Sequence, residues 1–138
     1  MSGAILPKDH FAIFKQELKD KFLFYGYYLN NELVGFSTLI INNKDIDTYF
    51  LGYDEGVQKE KMLYLNMLYD MVGYGIVKQF DHVIFARSAM EIKSSVGAEA
   101  EEVYGVIKHT NPVLNKFMSR LFPYFDPKIE WKERNPFK

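Results

Sequence analysis

The segment from Thr48 to Arg87 constrains this chain most. Thr48 to Gly52 (TYFLG) reads as a short strand ending at glycine, followed by a loop, Tyr53 to Val57. A long helix over Gln58 to Gln79 follows, with Met62, Leu65, Tyr69, Val72 and Ile76 on one stripe and Leu68 beside it. His82 to Arg87 (HVIFAR) is the next strand. A single helix between two strands lets them lie parallel in one sheet through a right-handed crossover, so the unit predicts a parallel pair. Gly73 and Gly75 each cost about 1 kcal/mol against alanine inside a helix, which points to close packing of its last third.

The rest of the chain fits around that unit. Phe11, Phe14, Leu18 and Phe22 recur at helical spacing from about Asp9, a candidate cap behind Pro7. FYGYYL from Phe24 and LVGFSTLII to Ile41 are β-rich runs separated by Asn30 and Asn31, residues that tolerate the positive φ of a hairpin turn. Asn42 to Asp47 is a polar turn. Beyond the parallel unit, a short helix over Glu91 to Val96 stops at Gly97, and Glu101 to His109 (EEVYGVIKH) alternates as a fifth strand. Asn111 and Pro112 open a last helix to about Phe122, and the remainder from Pro123 reads as extended. The expectation is an α/β (α+β) fold with a mixed, mostly antiparallel sheet flanked by helices, in one domain over residues 1–138.

Composition narrows the function classes. Seventeen basic against eighteen acidic residues leave a net charge of −1, so the molecule as a whole has no electrostatic footprint for nucleic acid or an anionic membrane. There is no apolar run of eighteen residues and no basic-then-apolar N-terminus, which sets cytoplasmic as the expected address, with no membrane partner. Cysteine is absent, so a thiolate nucleophile and a Cys-based metal site are excluded. His10, His82 and His109 are scattered without ligand spacing, and no metal is expected. Ten tyrosines are amphipathic material for lining a cleft or an interface.

The chemistry is expected where the third strand ends. A helix that starts at the carboxyl edge of a parallel strand presents unpaired N–H groups, a place for an anion or a cofactor phosphate. Here that place is Leu51, Gly52 and Tyr53, with Gly56 allowing backbone approach and Lys59 and Lys61 adding charge. Asp54 and Glu55 oppose it, since either would repel a phosphate or cap the helix itself. Tyr64 and Asn66 lie near the strand ends on the long helix, and Asn66, amid Met and Leu, binds either a ligand amide or a backbone carbonyl. Tyr104 shares a strand face with Glu102 and Lys108, as a general acid or as part of a solvated row.

This order of elements, together with EIKSSVGA before a strand, resembles the GNAT acyltransferase superfamily over about Phe22 to His109. Within it the chain looks most like the second lobe of Fem-type aminoacyl transferases and related bacterial GNAT-like proteins, so it would be one lobe of a longer chain, lacking the first strand. Lys93 to Ala98 (KxxxGA) is similar to the YxxxGF stretch of that family, with Lys93 in place of its tyrosine acid. YDEGVQKE stands where the family carries Q/RxxGxG/A. The resemblance implies acyl transfer from a small-molecule donor, acetyl-CoA or another acyl-CoA, to an amine acceptor. Fem-type enzymes use aminoacyl-tRNA, which the thin basic interleaving here supports only weakly. Lys93 and Arg87 would stabilise negative charge electrostatically, with Tyr104 as the third catalytic candidate. The plain alternative has Lys93 exposed and Arg87 paired with a carboxylate such as Glu91. A rival reading is a non-catalytic lobe whose uncovered sheet edge forms a homodimer.

Overall fold

The computed structural model describes residues 6–125, 131–134 and 136–137. Helix α1 (His10–Leu18) and a single 3₁₀ turn lead into strand β1 (Phe22–Leu29), then β2 (Glu32–Asn42) and β3 (Asp45–Tyr53). Helices α2 (Glu55–Lys61) and α3 (Leu63–Val77) precede β4 (His82–Ile84), α4 (Met90–Ser94) and α5 (Pro112–Phe125). The sheet order is β1-β2-β3-β4, antiparallel except for the parallel β3–β4 pair. The two strands expected to run parallel do so, but through Asp45–Asp47 and His82–Ile84 rather than through Thr48–Gly52.

Side-chain alternation divides the sheet into two faces. On one, Leu39 and Ile46 are fully covered by Leu63, Met67 and Met71 of α3, and burying a side chain of that kind contributes about 2 kcal/mol. On the other, Phe11 of α1 meets the rings of Phe22, Phe24, Phe36 and Phe50, and Phe14 stacks on Tyr49. Asn30 and Asn31 both have positive φ and make the β1–β2 turn.

Five expectations need correction. The polar turn is only Asn43 and Lys44, and β3 starts at Asp45, because Ile46 between two aspartates is a core residue. The expected helix over Gln58–Gln79 begins earlier and is broken at Met62, which takes the left-handed conformation. Both sides of the break are satisfied: Tyr64 N donates to Gln58 Oε1, and Asn66 Nδ2 donates to Lys61 O at 2.9 Å. Asp9 makes no side-chain cap for α1, which ends at Leu18. The fourth strand keeps only His82–Ile84, and no strand follows it among the described residues. Glu101–His109 alternates correctly but has no ladder to join, since β4 pairs over three residues only; Val103 and Val106 are over 90% exposed. Asn111 does cap α5, accepting from Val113 N at 2.9 Å, and α5 continues to Phe125. Part of the expected extended run from Pro123 lies outside the described residues.

Candidate active site at the end of strand β3

The β3–β4 ladder covers Asp45–Asp47 against His82–Ile84 and then stops. Thr48 Oγ1 donates to Ile84 O at 3.1 Å, the last tie between the two strands. Strand β3 then carries a bulge, with Tyr49 and Phe50 together facing Thr38 of β2. The buried Thr38 hydroxyl holds it in place, donating to Phe50 O and accepting from Phe50 N, both at 2.8 Å. An extra residue sharpens the local twist of β3 at this point.

The backbone direction there follows from one hydrogen bond. Asp54 N donates to Val34 O of β2 at 2.8 Å. N–H groups alternate sides along an extended chain, so those of Leu51 and Tyr53 face the other way, toward the side where β4 has ended. On the α3 face this end is lined by Leu51, Tyr64, Leu68 and Phe85, with Ile92 and Val96 behind them. The rings of Tyr53 and Tyr64 meet edge to face at 5.8 Å. Burial, and secondarily Tyr53, pushes the Tyr64 phenol above its ordinary value.

The helix terminus beside this strand end is occupied. Asp54 Oδ1 accepts from Gly56 N at 2.8 Å and Val57 N at 3.0 Å, so the carboxylate sits where a phosphate would. Gly56 is explained by that cap, since a Cβ there would lie 3.0 Å from Asp54 Oδ1. Gly52 is explained by packing, since its Cβ would lie 2.6 Å from the Phe36 ring. Lys61 pairs with Glu60 at 2.8 Å, and Lys59 is exposed. Asn66 bonds a backbone carbonyl, the second of the two uses open to it.

Lys93 is buried, not exposed. Its ammonium donates to the carbonyls of Ala86 and, at 2.6 Å, Ser88, and lies 5.8 Å from the Phe85 ring centre, so it ties down the segment that leaves β4. Desolvation lowers its pKa. Glu91 pairs with Arg134 at 2.6 Å, in place of the Arg87 pairing, and Arg134 N donates to Ser94 Oγ. Arg87 is exposed just past β4. Tyr104 is 85% exposed in an irregular segment, its hydroxyl bonded to Glu102 at 2.7 Å. The structure therefore brings Leu51, Tyr53 and Lys93 to the carboxyl ends of the parallel pair, and no sheet carries Tyr104 there.

Tyr64 lies at this strand end, near which the sequence puts it. A second concavity, of about 420 Å³, lies between β1, β2 and α3 and collects Tyr25, Tyr27, Tyr28 and Tyr74 around Asp70. The signal for it was present: Tyr25 and Tyr27 share a strand face, and Asp70 and Tyr74 are one helical turn apart. Among the described residues no three His, Asp or Glu side chains converge as metal ligands, and no helix is long and apolar enough to cross a membrane.

No protein-family model matches this sequence, and no curated protein matches it. Two solved structures do, both of the aminoglycoside acetyltransferase meta-AAC0020 from an uncultured soil metagenomic sample. The complex with trehalose is 16% identical with a TM-score of 0.55, and the complex with sisomicin is 17% identical with a TM-score of 0.56. Each likeness covers 80% of both chains. The chain has a GNAT-like fold, a mixed sheet flanked by helices.

Proposed function

We propose that this chain is an N-acyltransferase domain, passing an acyl group from an acyl-CoA or an aminoacyl ester to a small amine. The observation that carries this reading is the end of β3, where the Leu51 and Tyr53 N–H groups point away from β2 past the last β4 contact. A thioester carbonyl placed there would have its developing oxyanion met by fixed donors, which is the main requirement of acyl transfer between bound partners. The amine nitrogen attacks the carbonyl carbon; the C–S or C–O bond then breaks as the new C–N bond is kept. The leaving group gains a proton and the amine loses one. Tyr53 and the protonated Tyr64 are the hydroxyls at this strand end suited to supply that proton. Lys93 acts by positioning the segment after β4, and Arg87 offers a cation for a donor phosphate. Tyr104 is left as a residue of the acceptor side. Structures of similar fold hold sisomicin or trehalose, which supports a small polar acceptor. The resemblance to Fem-type lobes supports an aminoacyl ester, carried on tRNA, as the other donor.

The test is calorimetry and thermal shift with acetyl-CoA, coenzyme A and an aminoacyl-adenylate mimic on the wild type and on Asp54→Ser. Serine keeps a cap oxygen and removes the charge, so coenzyme A should bind several-fold more tightly to the variant. In a transfer assay, Tyr53→Phe should lower kcat about a hundredfold. Absence of binding by either protein at millimolar concentration would overturn the reading.

A second reading has one observation in its favour, the Asp54 carboxylate already seated on the α2 N–H groups. On that reading the chain is a non-catalytic lobe, an interface or an acceptor-binding wall, that pairs with a second copy through its β1 edge.

A further inference from the structure

The tyrosine-lined concavity shares no residue with the β3 end, and its chemistry is different. Its volume, about 420 Å³, falls within the range of small-molecule sites. The walls are phenol rings, and Leu39 and Met71 supply apolar surface. Tyr25 and Tyr74 stand 5.9 Å apart at 60° and form a corner. Gly26 leaves room for a third wall: a Cβ there would lie 3.0 Å from Tyr28 Cε2.

The charge in this lining is single and negative. Burial first, then Tyr74, pushes the Tyr25 hydroxyl up to about 12. Burial is also the largest effect on Tyr27 and raises it; the Ser37 hydrogen bond pulls the other way, and the Asp70 carboxylate adds to the rise. Both phenols therefore stay neutral at physiological pH, and Asp70 is the one formal charge among the lining residues. The Tyr27 hydroxyl lies 3.4 Å from Ser37 Oγ, and Asp70 acts on it through its charge. No lysine, arginine or histidine pairs with Asp70 among the described residues.

A carboxylate beside several aromatic rings selects one ligand class. Ring faces carry the negative end of the quadrupole and attract cations, and an ammonium against Asp70 would gain from both. An anion would be repelled, and a neutral ligand would leave the carboxylate without a countercharge. We propose that this concavity is a binding site for a small organic ammonium ion, with Asp70 taking the charge and Tyr25, Tyr74 and Tyr28 packing on its alkyl groups. The site is independent of acyl transfer at β3.

Choline and 3,3-dimethylbutan-1-ol are the probes, alike in shape and different only in charge. Each is titrated into the full chain by calorimetry, with tyrosine ring proton shifts followed by NMR. Choline should bind saturably, with the neutral isostere about ten-fold weaker. Asp70→Asn should cost a similar factor. Tyr28→Ala, at a ring 69% exposed and so dispensable for folding, should weaken choline several-fold with an unchanged Tm. Lys59→Ala should leave it unaltered. Equal binding of the two probes, no saturable binding of choline at millimolar concentration, or wild-type affinity in Asp70→Asn overturns the proposal. Acetyl-CoA titrated into the same samples reads the β3 site separately, so the two readings fail independently.

Discussion

His82 and Asp45 face each other across the parallel β3–β4 pairing, with Nδ1 and Oδ1 2.8 Å apart. The hydrogen bond to Asp45, then its charge, raises the histidine pKa in the folded chain. Stability from a raised histidine is fully present below the unfolded-state value, about 6.5, and disappears as pH climbs through the higher folded value. Chemical denaturation across pH should show wild-type stability falling relative to His82→Gln from near pH 6 upward. The difference should shrink in high salt, because the imidazole is largely exposed. Parallel pH profiles would rule this contribution out. Other residue-level roles divide by the range of their partners. Asp54 was legible because a cap needs only N–H groups two and three residues away. Lys93 was not, since its carbonyl partners lie on a segment whose path depends on where β4 stops. Glu91 was matched to the wrong arginine because sequence proximity favoured Arg87 over Arg134, 43 residues away.

At the scale of elements, α3 shows how two identical residues take opposite roles. In sequence, Gly73 and Gly75 read as equal signs of close packing. A Cβ on Gly75 would overlap Val83 Cγ2 of β4, whereas Gly73 has open space around it. Val83 is β-branched and cannot swing aside, so Gly75→Ala should destabilise by about 1–3 kcal/mol. Gly73→Ala should instead stabilise by about 1 kcal/mol through helix propensity alone. Urea unfolding of the two variants tests the pair, and the same sign for both would refute the crossover packing. Strands show a related limit. Alternation in Glu101–His109 defines two faces but says nothing about a neighbour, and three ladder residues on β4 offer none. In the hairpin, by contrast, the turn residues and both runs are adjacent in sequence, so the pairing was readable locally.

For the whole molecule, the sheet has a long edge at β1, which among the described residues pairs on one side only. Strands left open in natural proteins are commonly protected by lysine, proline or a bulge. Here FYGYYL contains no charge, and Phe24, Tyr25, Tyr28 and Leu29 are all more than a third exposed. The bulge between Tyr27 and Tyr28 distorts only the last residues of the pairing with β2. Antiparallel pairing of β1 with β1 of a second copy would satisfy the open backbone groups and cover Phe24 and Leu29, giving a closed two-fold dimer. Light scattering over a concentration series should then show the 16.2 kDa chain passing to twice its mass. Tyr28→Lys combined with Leu29→Lys puts like charges opposite each other in such a pair and should hold the chain as a monomer, with its far-UV spectrum unchanged. A wild-type chain that keeps its monomer mass at every concentration, or a double variant that still doubles, would remove the β1 edge as an interface.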